Sequence, residues 1–394
     1  MQFFRKNREA ITDWLRRHFT PRILLLLAVS LLLFLAAGIL YLIRIRTVSG
    51  LYDQQAAKTW SENGEGVSQI SVFWPNGKQA DAFAAKELEY KIKQELIKES
   101  ITDGQPESGP VFVTCMSARG EVELTRDNTK VNAHAIGTYG DFFRFHPVTL
   151  LSGSLYPDDL LVPDHVLLDE NLAWQLFGGY DIEGQIITIG GVSHTVAGVF
   201  RVEKSGQIEK KAGIPDNLCF LSLESLCQLG KVEGQTSAND NGKDAAAVGT
   251  AKIYGVNAWE IVMPDPVKNF AINLIKEQVR ADKEEIRVVE NSARFLPEAL
   301  RKNLGGGYTR GMQVQPYVFP YWENIAIGYG NVLAILWLWQ VILTVIAAGI
   351  PSILLIRSFR HRTWTLGGIL KDLSDRKYDF ESRMKYGKKK WENF

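Results

Sequence analysis

Residues 165–200 read HVLLDENLAWQLFGGYDIEGQIITIGGVSHTVAGVF. The apolar run Val166, Leu167, Leu168 predicts a short strand over 165–169. Residues 170–177 then predict a short helix with Leu172 and Phe177 turned inward and Gly178 as its C-terminal stop. Gly190-Gly191 stands between two β-branched runs, a strong hairpin signal. With its neighbours this stretch predicts a β-rich insert over 148–225, inside which 201–217 reads as a polar loop.

The texture changes on both sides. Upstream, 70–74 reads as a strand ended by Pro75. Asp81 is a suitable helix N-cap, and Ala84, Leu88, Ile92 and Leu96 recur every four residues behind it. Strands follow at 111–116, 121–124 and 131–136, completing a β-α-β-β unit. Downstream, a strand over 254–262, a helix over 267–279 opened by Pro266 and a strand over 285–289 echo that order. Residues 230–250 carry almost no large apolar side chain and read as a mobile loop.

Further out lie two apolar segments. Residues 23–43 hold no charge and are long enough to cross a bilayer core of ~30 Å as a helix. The stretch exceeds a signal-peptide core of ~7–15 residues, and Arg44-Ile45-Arg46 follows it in place of a cleavage site. No charge occurs between Asn324 and Ile356. A helix over 325–356 would span about 48 Å at ~1.5 Å per residue, so its first turns, 325–331, are expected to stand outside lipid. Trp337 and Trp339 suit an interface, and Pro351 is placed to kink the last turns.

Charge sets the expected orientation. Residues 1–22 carry +4 and residues 357–394 carry +6, while the whole chain is +1, so 44–324 holds −9. Both basic ends are therefore expected in the cytoplasm and 44–324 outside. A mean hydropathy of −0.08 averages two very apolar helices with a polar domain. Apolar residues at 46% and charged residues at 23% exclude disordered, collagen-like and disulfide-scaffold chains, and the small net charge excludes nucleic acid held by charge alone. Residues 1–22 place Phe3, Phe4, Ile11, Trp14, Leu15 and Phe19 at near-helical spacing opposite basic residues, which predicts an amphipathic helix on lipid. In the 357–394 tail, Trp364, Leu366, Ile369, Leu370 and Leu373 make a short apolar face suited to a cytoplasmic partner or to membrane anchoring.

No catalytic constellation is legible. The chain holds no GxxxxGK[ST] loop, HExxH or CxxC. Ser152-Gly153-Ser154 lacks the nucleophile-turn pattern. His165 sits among Asp158, Asp159, Asp164, Asp169 and Glu170, but without a metal-loop spacing a solvated acidic turn is favoured, and His194 is expected to pack or face water. Cys115, Cys219 and Cys227 are odd in number; a Cys219–Cys227 bridge stays open, with buried free thiols favoured. The reading is of a non-enzyme with no cofactor and no metal ligand.

The stretches 143–156 and 165–200 resemble the periplasmic core domain of macrolide-exporter-type ABC-transporter permeases, the MacB/FtsX-like family. The resemblance rests on Phe143, Leu151, Gly153, Val166, Leu168, Ala173, Leu176, Phe177, Gly178, Gly184, Ile187, Ile189, Gly191, Val196, Gly198 and Val199. It implies an α+β architecture: an extracytoplasmic porter-like β-α-β subdomain (47–147 and 252–320) with the inserted β-rich subdomain, flanked by two transmembrane helices. Of these positions, Gly153, Phe177, Gly178, Gly184, Gly191 and Gly198 are expected to be structural. It further implies a separate ABC ATP-binding subunit contacting 364–373, with ATP-driven movement of the outside domain and no substrate path through the bilayer. The family has four spans where two are visible here, so a homodimer or a second permease chain supplying the missing spans is an expected partner, beside membrane lipid. A second reading is a membrane-anchored extracytoplasmic binding or scaffold protein, for example a regulator of a cell-wall hydrolase.

Overall fold

The computed structural model describes residues 20–61, 66–101, 110–156, 164–204, 206–233, 255–281, 285–305, 312, 316–360 and 378. The amphipathic segment 3–19, the bulk of the 230–250 loop and Trp364–Leu373 lie outside the described residues. The chain divides into one unit of 1–42 and 338–394 and a second of 43–337.

The first unit is built on α1 (Pro21–Ser49) and the C-terminal part of the last helix, α10 (Tyr321–Arg360). Both are long and apolar enough to cross a membrane, and little of either is buried. Leu25, Leu32, Leu42 and Ile353 are each about two-thirds exposed, which no core helix of a soluble protein would tolerate. Ser30, Ala37 and Ala347, all small, are the buried ones among the described residues of this unit. Pro351 stands inside α10. Lacking an N–H, it leaves the carbonyl of Ala347, four residues earlier, without its helical donor. The Ser30 hydroxyl of α1 donates to that carbonyl at 2.8 Å. In hydrocarbon an unpaired carbonyl is costly, so this bond selects one pairing of the helices.

The second unit holds a large mixed sheet. Its strands are β1 (Val67–Phe73), β2 (Ala80–Asp81), β3 (Val113–Arg126), β4 (Thr129–Gly140), β5 (Thr149–Gly153), β6 (His165–Asp169), β7 (Ile186–Ile189), β8 (Val192–Arg201), β9 (Leu218–Ser222), β10 (Lys231–Val232), β11 (Gly255–Val256), β12 (Ala258–Pro264) and β13 (Arg287–Glu290). The main order is β13-β1-β12-β3-β4-β9-β6-β8-β5, with β7 on β3 and β8, β10 on β3, and β2 paired separately with β11. The β4–β9 and β6–β8 pairs are parallel; the others are antiparallel. The helices are α2 (Ala56–Trp60), α3 (Ala82–Lys98), α4 (Phe142–Phe145), α5 (Glu170–Phe177), α6 (Gln207–Lys211), α7 (Leu223–Leu229), α8 (Phe270–Gln278), α9 (Pro297–Gly305) and α10.

One face of the sheet packs under α3, α5, α7 and α8 through Ile70, Val72, Met116, Leu124, Trp259 and Ile261. The other face packs under α2, α4 and the first turn of α10 through Cys115, Phe142, Phe145, Phe220, Val262 and Trp322. Strands β1 and β12 are therefore buried on both faces.

Several elements match the sequence reading. Asp81 caps α3 through the backbone N–H groups of Phe83 and Ala84, Gly178 ends α5 in the left-handed region at φ 72°, and Gly190-Gly191 makes the β7–β8 turn with both φ positive. Others are corrected. The expected strands 111–116 and 121–124 are one strand, β3. Gly120 is a point of close approach, since a Cβ there would lie 2.4 Å from the Lys231 carbonyl. The polar loop 201–217 contains α6. Within the expected loop 230–250, Lys231–Val232 pairs with β3. The helix expected from Pro266 begins at Phe270, after Asn269 at φ 68°, with the Asp265 carboxylate accepting from the Ala271 N–H at 3.0 Å. None of the three cysteines is in a disulfide, and all three are buried.

A buried polar junction as the candidate functional site

The alternation of β1, β12 and β3 creates the site. Trp259, Ile261, Ile70, Val72, Met116 and Ala118 point to one face, so their neighbours Glu260, Ser71 and Cys115 point to the other. Register then aligns them: Ser71 opposes Glu260, and Glu260 opposes Cys115. The result is a row of polar side chains across three central strands, with Glu260 only 2% exposed.

A buried carboxylate needs partners. The Ser71 hydroxyl donates to one Glu260 oxygen, and the His146 Nε2 bonds the other. His146 follows α4 and is held on its other side by Asp53, whose Oδ1 lies 3.0 Å from Nδ1. Burial opposes a charge on this imidazole, but the charge of Glu260 and hydrogen bonds to Asp53 and Glu260 together push it up to about 9. The indole of Trp322, in the first turn of α10, lies over the His146 ring at 4.1 Å between centroids.

Two further connections extend the row. The Asn291 amide donates to Ser71 Oγ at 2.7 Å, and the Gln69 side chain accepts from the Ala56 N–H at 2.9 Å while donating to the Asp53 carbonyl at 2.8 Å. Arg294 makes a two-pronged pair with Glu323 of α10 at 2.6 and 2.7 Å and reaches Gln54 at 3.4 Å. Beyond it, the Asn324 amide donates to the Ala212 carbonyl and the Tyr329 hydroxyl to Glu209 Oε1, tying α10 to α6. The segment that follows α1 and the segment that opens α10 are thus both fastened to the same row. Chemically the junction is a hydrogen-bonded and ion-paired clasp. Among the described residues it also makes one convergence of metal-ligating types, Cys115, His146 and Glu260, with ligand atoms within 4.8 Å of one another.

Of the residues singled out from the sequence, Cys115 lies in this row and the others lie elsewhere. Gly153 (φ 74°) and Gly198 face each other across β5 and β8, where a Cβ on Gly153 would sit 2.3 Å from the Ala197 carbonyl and one on Gly198 2.7 Å from that of Ser152. Gly178, Gly184 and Gly191 all have positive φ in turns with open space around them. Phe177 carries the Arg126 guanidinium 4.0 Å from its ring centroid. His165 lies 2.9 Å from Asp164, and Asp158 and Asp159 lie outside the described residues. His194 is buried between Val192 and Ser225, and burial pulls it below the usual histidine range. Asp169 caps α5 at the Leu172 N–H; burial outweighs that bond and pushes its carboxyl up to about 6. The junction residues Asp53, His146, Glu260, Arg294 and Glu323 were not found from the sequence. One signal was available: Glu260 is the lone charge in the apolar run AWEIVM.

A family model described as the MacB-like periplasmic core domain matches residues 42–294, more than half of the chain. The chain belongs to the MacB-like periplasmic core domain family. No curated protein matches the sequence. Among solved structures, the chain is similar to the periplasmic region of MacB from Actinobacillus actinomycetemcomitans at 13% identity, covering 63% of this chain and 98% of that one with a TM-score of 0.39. It is also similar to the extracellular domain of the noncanonic ABC-type transporter YknZ from Gram-positive bacteria, at 14% identity, 56% and 99% coverage and a TM-score of 0.36. A domain of a permease protein from Porphyromonas gingivalis matches at 14% identity, 57% and 89% coverage and a TM-score of 0.30. This MacB-like core domain is flanked by two apolar helices, as in a membrane-anchored protein with an extracytoplasmic segment.

Proposed function

We propose that the chain is a permease-like subunit of an ABC transporter, which couples a separate ATPase in the cytoplasm to movement of the MacB-like domain outside. The observation that carries this reading is the junction. Asp53 after α1 and Glu323 at the start of α10 both bond into one buried network on the sheet. A shift of either helix would therefore act on the strands directly and not through a loose linker. In this reading both basic ends lie in the cytoplasm, residues 364–373 receive the ATPase, and 44–324 lie outside as a porter-like part with its β-rich insert. A homodimer or a second permease chain completes the transmembrane part, and lipid contacts α1 and α10.

The test is purification of the tagged full-length chain from native membranes in mild detergent, followed by mass spectrometry of what comes with it. An ABC ATP-binding subunit at near-stoichiometric yield, lost when Leu366, Ile369 and Leu370 are replaced by Ser, is the expected result. Absence of any ATP-binding subunit from intact preparations contradicts the proposal.

A further inference from the structure

We propose that Cys115, His146 and Glu260 form a binding site for a thiophilic divalent cation of the zinc type. The register of β12 on β3 sets Glu260 opposite Cys115, so the two side chains leave the same face side by side. The segment after α4 lowers His146 onto them, with Nε2 directed at Glu260. All three residues are buried, and their ligand atoms lie within 4.8 Å of one another. Ligand atoms around tetrahedral zinc stand roughly 3–4 Å apart, given bonds of ~2.0–2.3 Å. Small side-chain rotations therefore close the set.

The surroundings match what such ligands require. Asp53 holds the Nδ1 side of His146 at 3.0 Å, which orients the ring with Nε2 toward Glu260, where a metal would replace the hydrogen bond between them. Ser71 holds the other oxygen of Glu260, and Asn291 in turn holds Ser71 at 2.7 Å. One sulfur, one imidazole nitrogen and one carboxylate oxygen make a donor set that suits zinc and disfavours magnesium or calcium, which take oxygen ligands. Binding displaces one proton from the Cys115 thiol and one from the His146 nitrogen that faces Glu260. Two protons leave and one divalent cation enters, so the net charge of the buried cluster is unchanged. The metal would cross-link β3, β12 and the α4 exit beneath Trp322. This inference stands on the cluster alone and does not depend on transport.

The experiment uses the full-length chain in detergent. Metal content is measured by plasma mass spectrometry after growth with zinc, and the absorption spectrum is recorded after growth with cobalt. The wild-type chain should carry about one equivalent of zinc and show a thiolate-to-cobalt charge-transfer band in the near ultraviolet. Cys115→Ser and Glu260→Gln should lower metal content by at least roughly tenfold, while Cys219→Ser, also a buried thiol, should leave it unchanged. A wild-type chain without zinc and without the cobalt band overturns the site and leaves a closed hydrogen-bonded ion cluster in its place. Full metal content in Cys115→Ser also overturns it. If either variant does not fold, the wild-type cobalt spectrum decides by itself.

Discussion

Glu260 lies on a central strand with both faces covered, a position where an uncompensated carboxylate would be among the most costly residues in the domain. Its partners come from places remote in sequence: Ser71 is 189 residues away and His146 is 114. The Arg294–Glu323 pair shows the same dependence, with side chains 10% and 1% exposed. Replacing one member leaves the other buried and unpaired. Arg294→Met or Glu323→Leu alone is therefore expected to cost about 3–5 kcal/mol, while the two together recover much of that loss. A double-mutant cycle by denaturant unfolding measures the difference. Asp169 makes a second prediction at this scale. Its carboxyl is raised to about 6 in the folded chain, against an ordinary value of 3.8. The folded state thus holds the proton more tightly, and the stability this gives is full below pH ~4 and lost as pH rises through ~6. Relative to Asp169→Asn, whose side chain keeps an acceptor for the cap, the wild-type chain should lose up to about 3 kcal/mol between pH 4 and 7, read from melting temperatures.

Elements differ in how far their own residues determine them. Helix α5 and the β7–β8 hairpin were legible because cap, apolar face and turn residues all lie within a few positions of one another. The β3 strand reads as two pieces from the sequence because Ser117–Gly120 carries no large apolar residue, and the reason for Gly120, its close approach to β10, is tertiary. The start of α8 was misread because Asp265, not Pro266, supplies the first donor group with its acceptor. The two apolar helices were legible from composition, yet their lock was not. Pro351 reads as a kink, and only the structure shows that the carbonyl it frees is taken up by Ser30. This predicts a conditional effect. Ser30→Ala should destabilise the detergent-solubilised chain by about 0.5–1.5 kcal/mol. The same change in a Pro351→Ala background should cost almost nothing, because the helix then satisfies Ala347 internally. Thermal unfolding of the four variants checks it; equal losses in both backgrounds would exclude the lock.

For the whole molecule, charge and hydropathy along the chain carried the division into two apolar helices around an acidic domain, and the motif stretch 165–200 carried the family. The junction was illegible because it is made by register: Ser71, Glu260 and Cys115 become neighbours only when β1, β12 and β3 pair. Its role follows from what it fastens, namely residues 52–60 after α1 and 321–324 at the start of α10. These two segments and the sheet are expected to open and close as one body. Hydrogen exchange of the full-length chain in detergent tests it directly. The amides of 54–60, 69–72, 291–294 and 322–327 should exchange through one shared opening, and Arg294→Met should speed all four groups by a similar factor. Acceleration confined to 291–294, with 322–327 and 54–60 exchanging as before, would contradict the account.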